Sequence, residues 1–479
     1  MNIGTIIRKY KESPIQAKAS LWYTVCNILQ KGISFLIVPI YVRILTTAEY
    51  GQYSVFQSWR DILIIFATLN LYCGVFTKAM VDHEKDRDRY TSCMQGLTTL
   101  ITGCLFVVYL LGQAFWNRIF AMDTVTMLLM FAYFILYPAF SFWSVRQRVE
   151  YKYVRMVVIT LVVAVVIPAV SIALLLTTNL RAKAVIWGYL IVQCAVGSVF
   201  YFLQFIRGKK LYVKQYWVDA LKFNIPLIPH YLSLIVLGQS DRIMIRHYCG
   251  DDKVGIYNLA YQVSMVMNVF IGAINGSLVP WSYEKLRDKQ YGKIKDIATK
   301  LCAAIAVCTM GIVLVAPEII KILGTSDYAA AVWVIPAVAI SGYFTFCYNL
   351  FSTIEFYYGA TKFVMVASCV GAGLNVVLNA IFIPRFGFVA AGYTTMVCYL
   401  VFMIMHYVFM KKICRQNMNG EKAYNIPFIA LSCVLLCGAS AVCMAIYHLV
   451  WVRLAIILLT LMFAWINKKK AFEMIREMR

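Results

Sequence analysis

Long apolar stretches, separated by short polar ones, run through the whole chain. A membrane-spanning helix needs about 20 mostly apolar residues, and fourteen stretches reach that length. They lie near 19–43, 52–77, 91–115, 121–145, 155–178, 184–206, 222–245, 254–282, 297–317, 329–354, 361–384, 388–410, 425–447 and 449–467. The pattern predicts an all-α polytopic membrane protein with about fourteen transmembrane helices.

The distribution of Lys and Arg along these segments predicts their orientation. If the N-terminus is inside, 33 of the 45 Lys and Arg residues fall on the inside, 9 on the outside and 3 within spans. Cytoplasmic loops carry such an excess, so both termini are expected in the cytoplasm. The same excess explains the net charge of +23 without any nucleic-acid partner.

Composition supports a membrane protein and argues against an enzyme. The chain is 62% hydrophobic and 14% charged, which is more apolar than a soluble domain of this size tolerates. All connections are short, so there is no room for a soluble catalytic domain, and no phosphate-binding glycine loop is found. The 15 Cys residues lack metal-ligand spacing. We interpret them as packing residues and expect neither metal nor cofactor.

A short motif occurs twice at equivalent places. After the first predicted helix, Arg43 is followed by Gly51-Gln-Tyr53, and after the seventh, Arg246 is followed by Gly255-Ile-Tyr257. Two copies spaced six helices apart predict a duplication in which helices 1–6 and 7–12 form parallel lobes related by an axis along the membrane normal. The expected lobes are 1–210 and 211–415, and 416–479 holds helices 13 and 14 and a cytoplasmic tail.

Polar stripes on the first two predicted helices are candidates for a binding site. Helical spacing puts each stripe on one face of its helix, and the stripes consist of Tyr23, Asn27, Gln30, Lys31 and Ser34, then Tyr53, Gln57, Arg60, Asp61 and Thr68. Ionisable groups at membrane depth are costly and mark functional sites by default. The alternative is a buried Lys31–Asp61 or Arg60–Asp61 pair that only holds helices together.

The second half offers further polar residues within its spans. His230 lies at the position equivalent to Asn27, and it is either a satisfied core histidine or a ligand-binding or titrating group. Asp241 and Arg242 lie near the outer end of the seventh helix, where we expect a gating or structural pair. The eighth helix carries a stripe that includes Tyr257, Tyr261 and Asn268, which either binds sugar or serves as ordinary interhelical contact.

Several motifs resemble one family of transporters. They are LTTAEYGQY at 45–53, DRIM at 241–244, GIYNLA at 255–260 and NVVLNAIFIPRFG at 375–387. In this combination they are similar to the polysaccharide and O-antigen flippases (Wzx-type) of the superfamily that also contains multidrug (MATE) exporters and lipid II flippases. The resemblance implies two six-helix bundles in a V shape, which open alternately to each side of the bacterial inner membrane.

The resemblance also implies a substrate and partners. The substrate would be an undecaprenyl diphosphate-linked oligosaccharide moved to the outer leaflet for O-antigen, capsule or exopolysaccharide. Membrane lipids, a polysaccharide polymerase and a chain-length regulator would be further partners of a monomeric protein. The expected substrate-binding residues are Lys31, Arg60, Asn27, Gln30, Gln57, Asp61, His230, Tyr257, Tyr261 and Asn268. The alternative is a cation-coupled multidrug exporter, which commonly uses an acid that the first and eighth helices here lack.

The orientation can be tested by labelling single cysteines in a background without native Cys. Because of the charge asymmetry, we expect external reagents to reach a cysteine at 50 or 252. Cysteines at 290 or 416 should react only after the membrane is made permeable. External labelling at 290 or 416 would contradict the fourteen-helix topology.

Overall fold

The computed structural model describes residues 12–466, apart from the side chains of 361, 362, 459–461 and 463–466. Its helices are α1 Ile15–Ile44, α2 Thr47–Thr68, α3 Val75–Asp82, α4 Arg87–Leu111, α5 Gln113–Phe120, α6 Thr124–Val149, α7 Tyr153–Thr177, α8 Ala182–Gly208, α9 Lys214–Asn224, α10 Ile228–Cys249, α11 Asp251–Arg287, α12 Tyr291–Leu314, α13 Ala316–Leu323, α14 Ile335–Tyr357, α15 Thr361–Phe386, α16 Val389–Asn417, α17 Ile426–Ala445 and α18 Val450–Ile466. Three 3₁₀ segments connect some of them, at Glu84–Asp86, Ile225–Leu227 and Ser326–Trp333.

The all-α polytopic fold predicted from the apolar stretches is confirmed. Each of the fourteen predicted segments coincides with a helix, and within residues 12–466 twelve helical segments are long and apolar enough to cross a membrane. The two that fall outside this group are α2, which carries Glu49, Arg60 and Asp61, and α18, which has 17 described residues.

Several helix boundaries differ from those predicted, mostly at proline and at turns. The predicted seventh helix is interrupted by the 3₁₀ turn Ile225–Leu227, where Pro226 and Pro229 cannot donate backbone hydrogen bonds. The predicted second helix ends earlier, at Thr68, because Leu69 and Asn70 adopt positive φ angles of 46° and 54°. Gly250, at φ 91°, makes the sharp turn between α10 and α11.

The chain divides into two compact units. The N-terminal unit comprises the residues up to 40 together with 52–235. The C-terminal unit comprises 41–51 together with the residues from 236 onward. Helices α6, α7 and α8 pack along each other in the N-terminal unit, and α14, α15 and α16 do so in the C-terminal unit. Among the candidate spans of the described residues, helix α14 is the most enclosed, because 83% of the residues in its apolar stretch are buried.

The two copies of the repeated motif contact each other within the C-terminal unit. A methyl group on Gly51 would lie 1.8 Å from the backbone oxygen of Asp251, and one on Gly255 would lie 2.0 Å from that of Thr47. The contact is reciprocal, because each glycine faces the residue that lies four positions before the other glycine. The start of α2 is set by a capping box in which Thr46 and Glu49 exchange hydrogen bonds.

Substitution of these glycines should destabilise the protein. Ala at Gly51 or Gly255 would press its Cβ into backbone rather than into a flexible side chain, so we expect a loss of stability of about 1–3 kcal/mol or more. Gly276→Ala on α11 is the matched control, because a Cβ there meets nothing within 4 Å. Thermal unfolding of the purified protein in detergent measures both. Equal stability of Gly255→Ala and Gly276→Ala would contradict the close contact.

Candidate functional site

Arg60 and Asp61 form an ion pair on α2. The Nε and Nη2 atoms of Arg60 donate to Oδ1 of Asp61 at 2.9 and 2.6 Å. The side chains are 13% and 27% exposed. The sequence left open whether such a pair forms, and the structure shows that it does. Among the described residues, Nη1 of Arg60 donates no hydrogen bond, so part of the guanidinium remains available to a ligand.

Tyrosine rings from other helices surround this pair. The guanidinium lies 4.7 Å from the ring centre of Tyr189 on α8, a cation–π distance. The ring of Tyr133 on α6 lies 5.8 Å from that of Tyr189 and stacks at 4.9 Å on Tyr137. We call Tyr133, Tyr137 and Tyr189 the tyrosine cluster. It presents aromatic faces and hydroxyl groups beside a cation inside the N-terminal unit.

Gln57 lies one turn before Arg60, and its side chain bonds to another residue of α2. Its amide donates a 3.0 Å hydrogen bond to the hydroxyl of Tyr53. Both side chains are half-buried. Four residues of the predicted stripe on α2 therefore form two pairs, Gln57 with Tyr53 and Arg60 with Asp61. The fifth, Thr68, donates to the Ile64 carbonyl at 2.7 Å.

The stripe on α1 has a different character. Asn27 and Lys31 are exposed and Gln30 is half-buried. Within the described part of the chain Lys31 has neither an ion pair nor a hydrogen bond, and so it differs from Arg60. A lone cation on an otherwise apolar span requires water or an anionic ligand next to it.

His230 is half-buried near the start of α10, in the N-terminal unit. Its Nδ1 is buried, and no described residue forms a hydrogen bond with it. The ring lies 6.0 Å from that of Tyr231. The structure thus does not show a satisfied core histidine, and the binding role of His230 stays a prediction.

Asp241 lies at the centre of a buried polar network in the C-terminal unit. Its Oδ1 accepts from the Asn379 amide at 2.7 Å, and its Oδ2 accepts from Thr395 at 2.8 Å and from the hydroxyl of Tyr257. Asn375 extends the network by donating to Thr395 at 3.0 Å and accepting from Ser240 at 2.7 Å. Helices α10, α11, α15 and α16 are thereby joined around one carboxylate that is fully buried.

Arg242, the neighbour of Asp241, has separate partners. It donates to the Asn258 side chain at 3.0 Å and to the Gly238 carbonyl at 2.8 Å, and its guanidinium lies 4.2 Å from the ring centre of Tyr261. None of the ion pairs within residues 12–466 joins Asp241 to Arg242. Adjacent residues on a helix point about 100° apart, which explains the separation. A gating role for either residue stays a prediction.

The predicted stripe on α11 is not a single surface. Tyr257 is fully buried in the Asp241 network, whereas Tyr261 is half-buried beneath Arg242. Asn268 is half-buried, and its amide lies 2.9 Å from the sulfur of Met265 on the same helix. Of this stripe, Tyr261 and Asn268 retain exposed surface for a ligand.

The sequence did not single out several residues that carry these centres. The tyrosine cluster comes from α6 and α8, within stretches that were assigned only as apolar spans. Asn375 and Asn379 were noted only as part of a family motif. A second buried pair, Glu355 with His406, was also missed. In the described part of the chain no three His, Cys, Asp or Glu side chains cluster as a metal site would require.

Solved structures identify the fold class. The lipid II flippase MurJ in an inward closed conformation matches with a TM-score of 0.72 at 12% identity, over 95% of this chain and 100% of that one. An inward-facing multidrug resistance MATE family transporter matches with a TM-score of 0.58 at 13% identity, over 84% of this chain and 99% of that one. The chain therefore has the fold that these two membrane transporters share.

Sequence comparisons identify the family. The sequence model of the Polysaccharide biosynthesis protein family matches residues 17–285, and that of MatE matches 226–381. The chain belongs to the Polysaccharide biosynthesis protein family, as the motifs predicted. Protein 1 of the Lsg locus of Haemophilus influenzae is a relative with 24% identity over 278 residues. The match covers 57% of this chain and 67% of the relative. An uncharacterized membrane protein of Methanocaldococcus jannaschii is 21% identical over 457 residues, 86% of this chain and 87% of the relative.

Asp241→Asn should weaken the C-terminal unit. In the asparagine an NH₂ group replaces one carboxylate oxygen and cannot accept a hydrogen bond from the donors that face it. Loss of a hydrogen bond to a charged group costs about 1.5–3 kcal/mol. Asp252→Asn, at an exposed ion pair with Lys253, should cost about 0–1 kcal/mol. Thermal unfolding in detergent measures both. Similar losses in the two variants would show that Asp241 does not organise the network.

Proposed function

We propose that the protein is a flippase that moves undecaprenyl diphosphate-linked oligosaccharide repeat units from the cytoplasmic to the outer leaflet of the bacterial inner membrane by alternating access. The product would feed the synthesis of O-antigen, capsule or exopolysaccharide, with a polymerase and a chain-length regulator acting afterwards. Membership of the Polysaccharide biosynthesis protein family and the MurJ-like fold support this class of substrate.

The exposed and unpaired Lys31 carries the proposal. It is a cation in a span without any acidic residue, since α1 contains neither Asp nor Glu. A diphosphate is a compact dianion, and an ammonium group is a suitable point-charge partner for it. A hydrophobic cationic drug would be repelled by the same residue, so Lys31 favours an anionic substrate.

Arg60 and the tyrosine cluster supply the remaining chemistry. The free Nη1 edge of Arg60 can donate to phosphate oxygens while Asp61 keeps the guanidinium oriented. Half-buried aromatic rings such as Tyr137 and Tyr189 can stack on sugar rings. The hydroxyl of Tyr189, 3.4 Å from that of the buried Tyr133, can donate to a sugar oxygen. Gln57, Gln30 and Asn27 add neutral hydrogen-bonding groups of the kind that bind sugars.

The proposed substrate suggests an energy source. The cell interior is negative, so outward movement of a diphosphate is downhill by about 2.3 kcal/mol per charge per 100 mV. If Lys31 and Arg60 move inward as the empty transporter resets, that step is also downhill. The same cations travel outward with the bound diphosphate and largely cancel its charge on that step, so the membrane potential would drive the cycle mainly through the return of the empty protein. This agrees with the absence of acidic residues from α1.

A cation-coupled drug exporter is the second candidate. The MatE match over residues 226–381 and the buried Asp241 favour it. It predicts resistance to cationic drugs in cells that overproduce the protein, together with unchanged surface glycan in cells that lack it. The flippase proposal predicts the opposite for both measurements.

Lys31→Ala and Arg60→Ala should each abolish export of the surface glycan. Each variant loses a charge-assisted contact to phosphate worth about 1.5–3 kcal/mol, which is roughly a tenfold to hundredfold loss of affinity. Lys300→Ala is the control, because Lys300 forms an exposed ion pair with Asp296 within one helix. Surface glycan is measured at equal amounts of membrane-inserted protein. Normal glycan in both Lys31→Ala and Arg60→Ala would contradict the proposed site.

A further inference from the structure

The C-terminal unit contains a fully buried ionisable pair that the proposed transport scheme does not use. Glu355 on α14 and His406 on α16 are both 0% exposed, and Nδ1 of His406 lies 2.7 Å from Oε2 of Glu355. Both residues lie within helices long and apolar enough to span the membrane. An ionisable pair at such a place is expensive to maintain and calls for a functional explanation.

The surroundings of the pair are aromatic. Ring centres of Tyr348, Phe363 and Phe402 lie 5.5, 5.8 and 4.5 Å from that of His406. They come from α14, α15 and α16 respectively. Tyr348 is the titratable group among them, and it is neutral at ordinary pH. The pair is thus enclosed by apolar and aromatic surface on the helices that carry it.

Other titratable groups on the helices packed against α14 have different partners. Lys411 on α16 lies 6.0 Å from the ring of Tyr407, and Arg287 at the end of α11 pairs with Asp288 at 3.1 Å. Further titratable groups on these helices lie beside Tyr357, Tyr358, Cys347, Tyr343 or the Leu350 carbonyl, and they include Tyr283, Tyr291, Cys302, Cys433 and Tyr424. Tyr399 on α16 interacts with Tyr348. The charge that acts on Glu355 is therefore that of His406.

Two polar atoms of the pair are left without partners in the described structure. They are Oε1 of Glu355 and Nε2 of His406, both buried. With one proton the pair has zero net charge, either as carboxylate and imidazolium or as carboxylic acid and imidazole. Without it a carboxylate remains buried beside a neutral ring, which costs several kcal/mol. The packing of α14 and α16 therefore favours the form of the pair that holds one proton.

We propose that Glu355 and His406 form a proton-binding site through which conformational change in the C-terminal unit depends on pH. The pair carries one proton while α14 and α16 enclose it. When the helices separate and water enters, the proton leaves, and the products are a hydrated carboxylate and a neutral imidazole. This inference rests on the proposed function for what is transported, but proton binding itself does not depend on the substrate.

The position of the pair indicates the side of proton exchange. Glu355 lies two residues before the end of α14, and the end of α16 beyond His406 carries the exposed cations Lys411, Lys412 and Arg415. In the predicted topology both helix ends are cytoplasmic. The proton is then exchanged with cytoplasmic water, and the pair senses the pH of that side.

The test combines a pH gradient with a clamped voltage. Purified protein is reconstituted in liposomes with undecaprenyl diphosphate carrying a fluorescent oligosaccharide as the probe, and potassium with valinomycin holds the voltage at zero. We expect a pH gradient to change the wild-type flipping rate several-fold. Glu355→Gln and His406→Gln should lose that response and still flip the probe under a voltage. A wild-type rate indifferent to the pH gradient, or an unaltered response in Glu355→Gln, would overturn the proposal.

Glu318→Gln is the matched control. Glu318 also pairs with a buried cation of the same unit, Arg453, at 2.6 Å, but it lies on the short helix α13. A variant at this position removes one acid and one ion pair without touching the proton site. We expect it to keep the wild-type response to the pH gradient. Loss of the response in Glu318→Gln as well would show a general structural effect and would overturn the assignment to Glu355.

A second measurement is independent of transport. The chain has 5 His residues, so ¹⁵N-histidine NMR of the protein in lipid can assign His406 from the signal missing in His406→Gln. We expect the ring signals of His406 to change with pH, and to change differently in Glu355→Gln. Identical, pH-independent signals of a neutral ring in both proteins would overturn the proton site. If wild-type protein flips no probe while these signals titrate, the proposed substrate is wrong and the proton site stands.

Discussion

Charge cannot remain uncompensated in apolar surroundings, and this constraint organises the three ionisable centres of the spans. Arg60 is compensated by the neighbouring carboxylate of Asp61 and by the face of Tyr189. Asp241 forms no ion pair with the adjacent Arg242 and is compensated by hydrogen bonds from Asn379, Thr395 and Tyr257. Glu355 and His406 compensate each other through a single proton. Lys31 alone among these groups has no protein partner in the described structure, which is why it is the strongest candidate for meeting an anion.

The repeated motif shows how the C-terminal centre is positioned. Gly51 and Gly255 allow the backbones of α2 and α11 to touch. Tyr257 and Asn258, two and three residues after Gly255, bind Asp241 and Arg242 respectively. A side chain at either glycine would displace the first turn of α11 and with it both hydrogen bonds. The motif that suggested a duplication is therefore also the contact that holds the polar network of the C-terminal unit in register.

The fold was largely predictable, because helix length and apolar character are local properties of the sequence. The candidate sites were predictable only in part. The Arg60–Asp61 pair lies within one helix and was foreseen as an alternative, whereas the tyrosine cluster depends on how α6 and α8 pack. Glu355 was missed because the tenth segment was ended at 354, and α14 continues to Tyr357. An error of a few residues is unimportant for the fold, but here the predicted boundary left a buried acid outside the span.

The two units offer different kinds of energetic coupling. The N-terminal unit has unpaired or partly exposed cations, so its conformational changes move charge and respond to voltage. In the C-terminal unit the acids within the spans, Asp241 and Glu355, are fully buried and held by hydrogen bonds or by a histidine. Glu355 can change its charge there only when a proton binds or leaves. A substrate with two negative charges can be driven by the first mechanism alone. Addition of the second would make the return of the empty protein depend on cytoplasmic pH. The rate of transport would then change with that pH, while its direction is still set by the voltage.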